Sequence, residues 1–139
     1  PMGRYKNPNV VQEKRLQWAS QALQKVELRA QDFDKVARKA KAGDLVYFDP
    51  PYQPLNATSS FTSYTQEPFG PEQQWKLAQL FAELVSRGCH VFLSNSDTPL
   101  IRELYADFEC LEVQAARMIN SKSDRRQAIG EVFVVGKPK

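Results

Sequence analysis

The chain is poor in the residues that build metal centres and covalent cross-links. It has one histidine, His90, and two cysteines, Cys89 and Cys110, in 139 residues. No Cys/His cluster is present from which a zinc site could be assembled. Both cysteines sit in apolar, strand-like contexts, which read as buried free thiols of a cytoplasmic protein rather than as a disulfide. Apolar runs are short, and none approaches the roughly 20 residues of a membrane-spanning helix. The start, Pro1-Met2-Gly3-Arg4, has no apolar stretch behind it, so no signal peptide is visible. Glycine is scarce as well. The glycines at 3, 43, 70, 88, 130 and 136 include no pair separated by a single residue.

What is present is ordinary in bulk and uneven in distribution. Apolar content of 42% and charged content of 25% are those of a globular protein with one core. The net charge of +3 divides into +6 over residues 1–43, −7 over 44–116 and +4 over 117–139. Basic ends could grip a phosphate backbone while an acidic centre does chemistry. The cluster from Lys35 to Lys41 fits a solvated helix face equally well.

Periodicity outlines the elements. Asn9 can cap a helix over 10–23, with Leu16, Ala19 and Leu23 on one face. Val26 to Ala30 alternates apolar and charged residues as a strand does. A short helix is expected over 32–42, with Asp32 a candidate cap and Gly43 its stop. Leu45-Val46-Tyr47-Phe48 reads as a buried strand. Residues 53–70 form a long Ser/Thr/Asn/Pro-rich loop carrying Phe61, Tyr64 and Phe69, the pattern of a lid or binding loop. Pro71 opens the clearest helix, with Leu77, Leu80, Phe81, Leu84 and Val85 in helical period and Gly88 at its end. Strands are expected over 91–94, 110–115 and 131–135, the last two as an antiparallel pair. A short helix capped by Asp97 or Thr98 lies between the first two of these. The order implies an α/β sheet with helices on both faces and a ligand site beyond the carboxyl ends of its strands.

The chemistry concentrates in Asp49-Pro50-Pro51-Tyr52, directly after the apolar strand. Proline keeps its carbonyl but lacks an N–H. The Asp49 carboxylate and the Pro50 carbonyl can therefore both accept from one exocyclic amino group, while the Tyr52 ring stacks on a flat base. Drawing on both N–H bonds localises the nitrogen lone pair toward a methyl donor, which is electrostatic preorganisation rather than covalent catalysis. The competing reading is a plain proline turn after a strand.

The run Gly43-Asp44-Leu45-Val46-Tyr47-Phe48-Asp49-Pro50-Pro51-Tyr52-Gln53-Pro54-Leu55, with Phe61-Thr62-Ser63-Tyr64, resembles the catalytic region of the Dam-type DNA adenine N6-methyltransferases. Pro1-Met2-Gly3-Arg4-Tyr5-Lys6 resembles the end of the family's target-recognition segment, although the family usually has Phe where Met2 stands. Leu93-Ser94-Asn95-Ser96-Asp97-Thr98 and the tail from Arg117 to Val135 are similar too. The resemblance covers nearly the whole chain. It implies a Rossmann-like class I methyltransferase sheet, α/β and partial, with its first strands missing. Residues 1–9 would end the recognition segment, and 10–139 would be the C-terminal part of the catalytic domain.

The resemblance also implies a chemistry and a set of contacts. S-adenosylmethionine would give its methyl to an adenine flipped out of double-stranded DNA, in short sites such as GATC, with no metal. Catalysis would rest on Asp49, Pro50, Pro51 and Tyr52. Arg4 would read a guanine edge, Lys6 would touch phosphate and Tyr5 would pack on the DNA; a solvated arginine is the alternative for Arg4. Phe61 and Tyr64 could close over the base. Asp32 and Phe33 would contact the adenine of the donor, or else be a helix cap and a core ring, and Asp49 would lie near its methionine end. Arg117, Ser121, Lys122, Arg125 and Arg126 suit contact with a nucleic-acid backbone, as they suit an exposed hairpin. Asn95 either ties a turn or touches substrate.

Family members carry a Phe-x-Gly-x-Gly turn for the donor, and the spacing of glycines here provides none. The expected partners are therefore DNA together with the missing N-terminal half or a second copy of the chain, in a bacterial or phage cytoplasm. Roles in restriction–modification, DNA replication or mismatch repair are all compatible. Two alternatives stand beside this reading: a catalytically impaired DNA-binding fragment, and an RNA adenine methyltransferase.

Overall fold

The computed structural model of the chain describes residues 11–54, 69–115 and 129–138. The chain divides into two compact units, Pro1–Gln31 and Asp32–Lys139.

The described residues of the first unit hold one helix, α1 (Glu13–Leu23). It starts at Glu13, with Gln12 at its N-cap and no side-chain cap, and Asn9 lies outside the described residues. None of its residues is buried. The expected strand at 26–30 is not formed. A strand requires a hydrogen-bonded neighbour, and no described strand pairs with this segment. In this segment Arg29 Nε reaches Glu27 Oε1 at 2.7 Å while Leu28 stays 69% exposed.

The second unit contains α2 (Phe33–Ala37), β1 (Leu45–Phe48), α3 (Pro71–Ser86), β2 (His90–Ser96), α4 (Pro99–Leu104), β3 (Glu109–Ala115) and β4 (Ile129–Gly136). The strands form one mixed sheet in the order β1-β2-β4-β3. β1 and β2 are parallel, Tyr47 opposite Phe92, and β4 runs antiparallel to both β2 and β3. The expected antiparallel pair at the C-terminal end is present, with Cys110 opposite Val134. β2 runs further than 91–94 because β4 pairs with it from Val91 to Ser96. Gly43 and Gly88 both take positive φ, +88° and +96°, at the entries to β1 and β2. The Gly43 N–H donates to the Gly88 carbonyl at 2.9 Å, which sets these two strands side by side.

α2 is shorter than the 32–42 helix that residue pattern alone suggests. The cause is tertiary. Arg87 Nη1 donates to the carbonyls of Arg38 and Ala40, at 3.1 Å each, and so takes acceptors that a continuing helix would have used itself. α3 is anchored at its start by the Gln73 side chain, whose Oε1 accepts from Gly70 N at 3.1 Å, with Pro71 in the first turn. Thr98 caps α4 by accepting from Ile101 N at 3.3 Å.

Side chains on alternate strand positions sort onto two faces. Phe48, Val91, Leu93, Val132 and Val134 form one core with Leu77, Leu80, Phe81 and Leu84 of α3, Ile101 of α4 and Ala37 of α2. Among the described residues of the second unit, α2, α3 and α4 all join this one core, so the expected helices on both faces are not found there. The other face carries an aromatic row instead: Phe133 stacks on Phe92 at 5.7 Å and lies 6.3 Å from Tyr47.

Candidate active site

β1 ends at Phe48, and the chain leaves the sheet through Asp49-Pro50-Pro51-Tyr52. The pleat carries Phe48 into the core, so Tyr47 and Asp49 stand on the opposite face. Asp49 is exposed, and Pro50, Pro51, Tyr52 and Gln53 are half-buried. The carboxylate is not sealed into packing.

Neighbouring residues of β2 hold this turn from two sides. On the aromatic face, the Ser94 hydroxyl donates to Asp49 Oδ1 at 2.9 Å. Its single hydrogen is thereby used, so the Tyr47 hydroxyl, also at 2.9 Å, donates to Ser94. The result is a relay from Tyr47 through Ser94 to Asp49. Tyr52 joins the same cluster: burial pushes its hydroxyl above the ordinary tyrosine value, the neighbouring Ser94 hydroxyl offsets part of this, and the charges of Glu131 and Asp49 add to the rise. On the helical face, Asn95 Oδ1 accepts from Gln53 N at 2.9 Å and from Ser96 N at 2.9 Å. Asn95 Nδ2 donates to Gln74 Oε1 at 3.1 Å, and Gln74 Nε2 donates to the Pro51 carbonyl at 3.0 Å. Asn95 thus ties the turn. Among the described residues, Asp49 Oδ2 and the Pro50 carbonyl accept no hydrogen bond, which leaves two acceptors on adjacent residues open to a ligand. The buried Gln53 Oε1 also has no partner.

A second feature adjoins β1. A cavity of about 580 Å³ is lined by Phe33, Ala37, Ala40, Val46 and Phe48, with Lys39 and Asp44 as its charged members. Its volume lies in the range of small-molecule sites. The Phe33 ring packs on Phe69 at 6.0 Å. Asp32 is exposed and does not line the cavity; its Oδ1 accepts from Asp34 N at 3.3 Å, as a local helix cap. Asp49 does not line the cavity either, so the three acids and rings expected around a donor are not gathered into one pocket.

Beyond β2, Asp97 grips Arg102 through two hydrogen bonds of 2.7 Å, and Arg102 Nη2 reaches Glu112 at 3.1 Å. The guanidinium holds the Asp97 carboxyl below the usual carboxylate range. Asp97 N also donates to the Gly130 carbonyl at 3.0 Å. This cluster braces α4 against β3 and β4 at the edge where the site lies. No group of acids, cysteines or histidine among the described residues could hold a metal ion.

Arg4, Tyr5, Lys6, Phe61, Tyr64, Arg117, Ser121, Lys122, Arg125 and Arg126 lie outside the described residues. Sequence reasoning missed Ser94 as a hub and Gln74 altogether. Gln74 carried a signal: it sits three, four and seven residues before Leu77, Ala78 and Phe81, a polar residue on the buried face of α3.

The chain resembles known proteins over most of its length. A family model described as D12 class N6 adenine-specific DNA methyltransferase matches residues 1–119. Type II methyltransferase M1.LlaDCHI of Lactococcus lactis subsp. cremoris is 45% identical over 136 residues, 96% of this chain and 48% of that protein. Type II methyltransferase M.MjaIII of Methanocaldococcus jannaschii is 44% identical over 128 residues, 91% of this chain and 44% of that protein. DNA adenine methylase of Escherichia coli is 37% identical over 138 residues, 99% of this chain and 49% of that protein. The chain thus spans about half the length of the curated relatives it matches. With an acid and, among the described residues, an unbonded carbonyl at the end of a parallel strand and a family match across the turn that carries them, the chain belongs to the D12 class N6 adenine-specific DNA methyltransferases.

Proposed function

We propose that this chain carries the methyl-accepting half of a site-specific DNA adenine methyltransferase that uses S-adenosylmethionine and acts on short duplex sites such as GATC. The observation that supports it most is the pair of open acceptors, Asp49 Oδ2 and the Pro50 carbonyl, at the exposed end of β1. An adenine amino group placed between them would donate one N–H hydrogen bond to each. Its lone pair would then turn out of the ring plane toward a methyl group, with the donor leaving as S-adenosylhomocysteine as its sulfur–methyl bond breaks and the surplus amino proton passing to solvent. Ser94 fixes one carboxylate oxygen, so the other keeps a defined direction. Tyr52 faces the base, and Phe61 and Tyr64 close over it. Arg4 reads guanine, Tyr5 packs on the duplex, and Lys6, Arg117, Ser121, Lys122 and Arg125 touch its backbone. Residues 1–9 end the recognition segment, and 10–139 belong to the catalytic domain.

When bound, S-adenosylmethionine supplies the methyl group. Phe33, which lines the aromatic, largely apolar cavity beside β1, would stack on its flat ring, while Asp32 and Asp49, which do not line that cavity, would accept from its amino group and lie toward its methionine end. The chain has no Gly-x-Gly spacing for the remainder. Among the described residues β1 pairs on one side only, with β2, and this edge suits a partner polypeptide that supplies the other half of the domain, or a second copy. No helix among the described residues is long and apolar enough to cross a membrane. The proposed work on DNA belongs in a bacterial or phage cytoplasm.

The same lack of Gly-x-Gly favours one second reading, a DNA-binding piece without transfer. The test combines the chain with an upstream half and measures methyl transfer to GATC duplexes, to duplexes with substituted sites and to RNA. Transfer to GATC that Asp49→Ala abolishes, with duplex affinity kept, is expected. Duplex binding without transfer establishes the second reading, and transfer to RNA alone replaces the substrate.

A further inference from the structure

A turn that presents two acceptors to one amino group must hold them still, to within about 0.5 Å. Pro50 and Pro51 have no N–H to donate, so these positions cannot be pinned by ladder hydrogen bonds of their own. The restraint comes from side chains on two other elements. Gln74 on α3 holds the Pro51 carbonyl, Asn95 on β2 holds the Gln53 N–H, and the two amides hold each other. The pair therefore grips the backbone on both sides of Tyr52.

Both amides are fully buried, each with 0% of its surface exposed. Such groups carry a desolvation cost that an apolar side chain of the same size would avoid. Gln74 shares its helix face with Leu77, Ala78 and Phe81, so an apolar residue would suit that face itself but would leave Asn95 Nδ2 and the Pro51 carbonyl without their partner. What the amide adds is two hydrogen bonds, one to Asn95 and one to the turn.

We propose that Gln74 and Asn95 are positioning residues for methyl transfer. They fix the Pro51–Gln53 backbone and thereby keep the Pro50 carbonyl aimed as the second acceptor beside Asp49. They act through the turn and touch neither base nor donor. This assignment rests on the methyltransferase reading above.

Gln74→Met retains length and volume and removes both hydrogen bonds. In the full protein it should lower kcat for methyl transfer at least tenfold while KM for the duplex changes less than twofold. Hydrogen exchange at the Gln53 amide should quicken at least tenfold, with Val46 and Phe48 in β1 unchanged. Gln74→Glu keeps the oxygen that Asn95 donates to and loses the donor to Pro51; it serves as the second variant should the Met variant not fold. A kcat within twofold of the parent overturns the proposal. So does exchange that quickens equally across β1, β2 and Gln53, since that marks a general structural role. If the parent itself transfers no methyl group to any duplex, the methyltransferase reading fails, and exchange at Gln53 still decides whether the pair holds the turn.

Discussion

The Ser94 hydroxyl donates to Asp49 Oδ1 at 2.9 Å and receives a hydrogen bond from Tyr47 in turn. A hydrogen bond to a carboxylate is worth about 1.5–3 kcal/mol, and here it also selects one carboxylate rotamer. Ser94→Ala should therefore slow single-turnover methyl transfer about tenfold or more, without altering duplex affinity. Ser94→Thr, which keeps the hydroxyl, should recover most of the rate. Equal rates in the Ala variant and the parent would remove Ser94 from the mechanism.

Asp97 yields a prediction in pH. Its folded-state pKa is depressed, first of all by the hydrogen bonds to Arg102. A depressed carboxylate stabilises the fold above its unfolded value of about 3.9 and loses that contribution as pH falls through the lower folded value. Asp97→Asn should thus be less stable than the parent at pH 7, by urea midpoint, and the gap should shrink as pH falls below about 3.9. A gap that is constant with pH would mean the clamp acts through packing rather than charge.

Gly136 lies where the end of β4 meets α3. A Cβ there would stand 2.4 Å from Val85 Cγ2 and 2.7 Å from Phe81 Cε1, both closer than side chains approach. Phe81 is buried between Tyr105 and Phe108, at 5.2 and 4.8 Å between ring centres, and has no room to yield. Gly136→Ala should cost about 1–3 kcal/mol by overpacking, read from chemical denaturation. Unchanged stability would show that the helix can lift off the sheet freely.

Tyr105 is fully buried, and its hydroxyl finds no partner among the described residues. Burial also pushes that hydroxyl far above the ordinary tyrosine value. An unpaired buried hydroxyl costs about 1–3 kcal/mol. Tyr105→Phe should therefore be neutral or raise the melting temperature by a few degrees, and a clear drop would reveal a hydrogen bond that the side chain makes in solution.

Much of the second unit was legible in local pattern. Pro71 and the Leu77–Phe81–Leu84 spacing mark α3 because one helix face alone meets the core. β1 and the β3–β4 pair were visible as short apolar runs between breakers. Long-range competition was not. Nothing near Ala37 announces that Arg87, about a third of the chain away, will claim the carbonyls that end α2. The segment at 26–30 alternates like a strand, but alternation records which faces differ and not whether a neighbour exists to pair with. In the site, Asp49 and its prolines stood out because their chemistry is local. Gln74 was hidden because its value lies in two partners, Pro51 and Asn95, distant in sequence.

The division of labour between Ser94 and Asn95 has a consequence for how this chain can change. Their opposite orientations follow from strand parity, not from any property of serine or asparagine. One residue gained or lost between Gly88 and Ser94 would invert that parity. The hydroxyl would then face the buried amide of Gln74, and the carboxamide would face the carboxylate, each on the wrong side. Length in this short stretch is thus under tighter constraint than composition, and insertions should be tolerated only outside it.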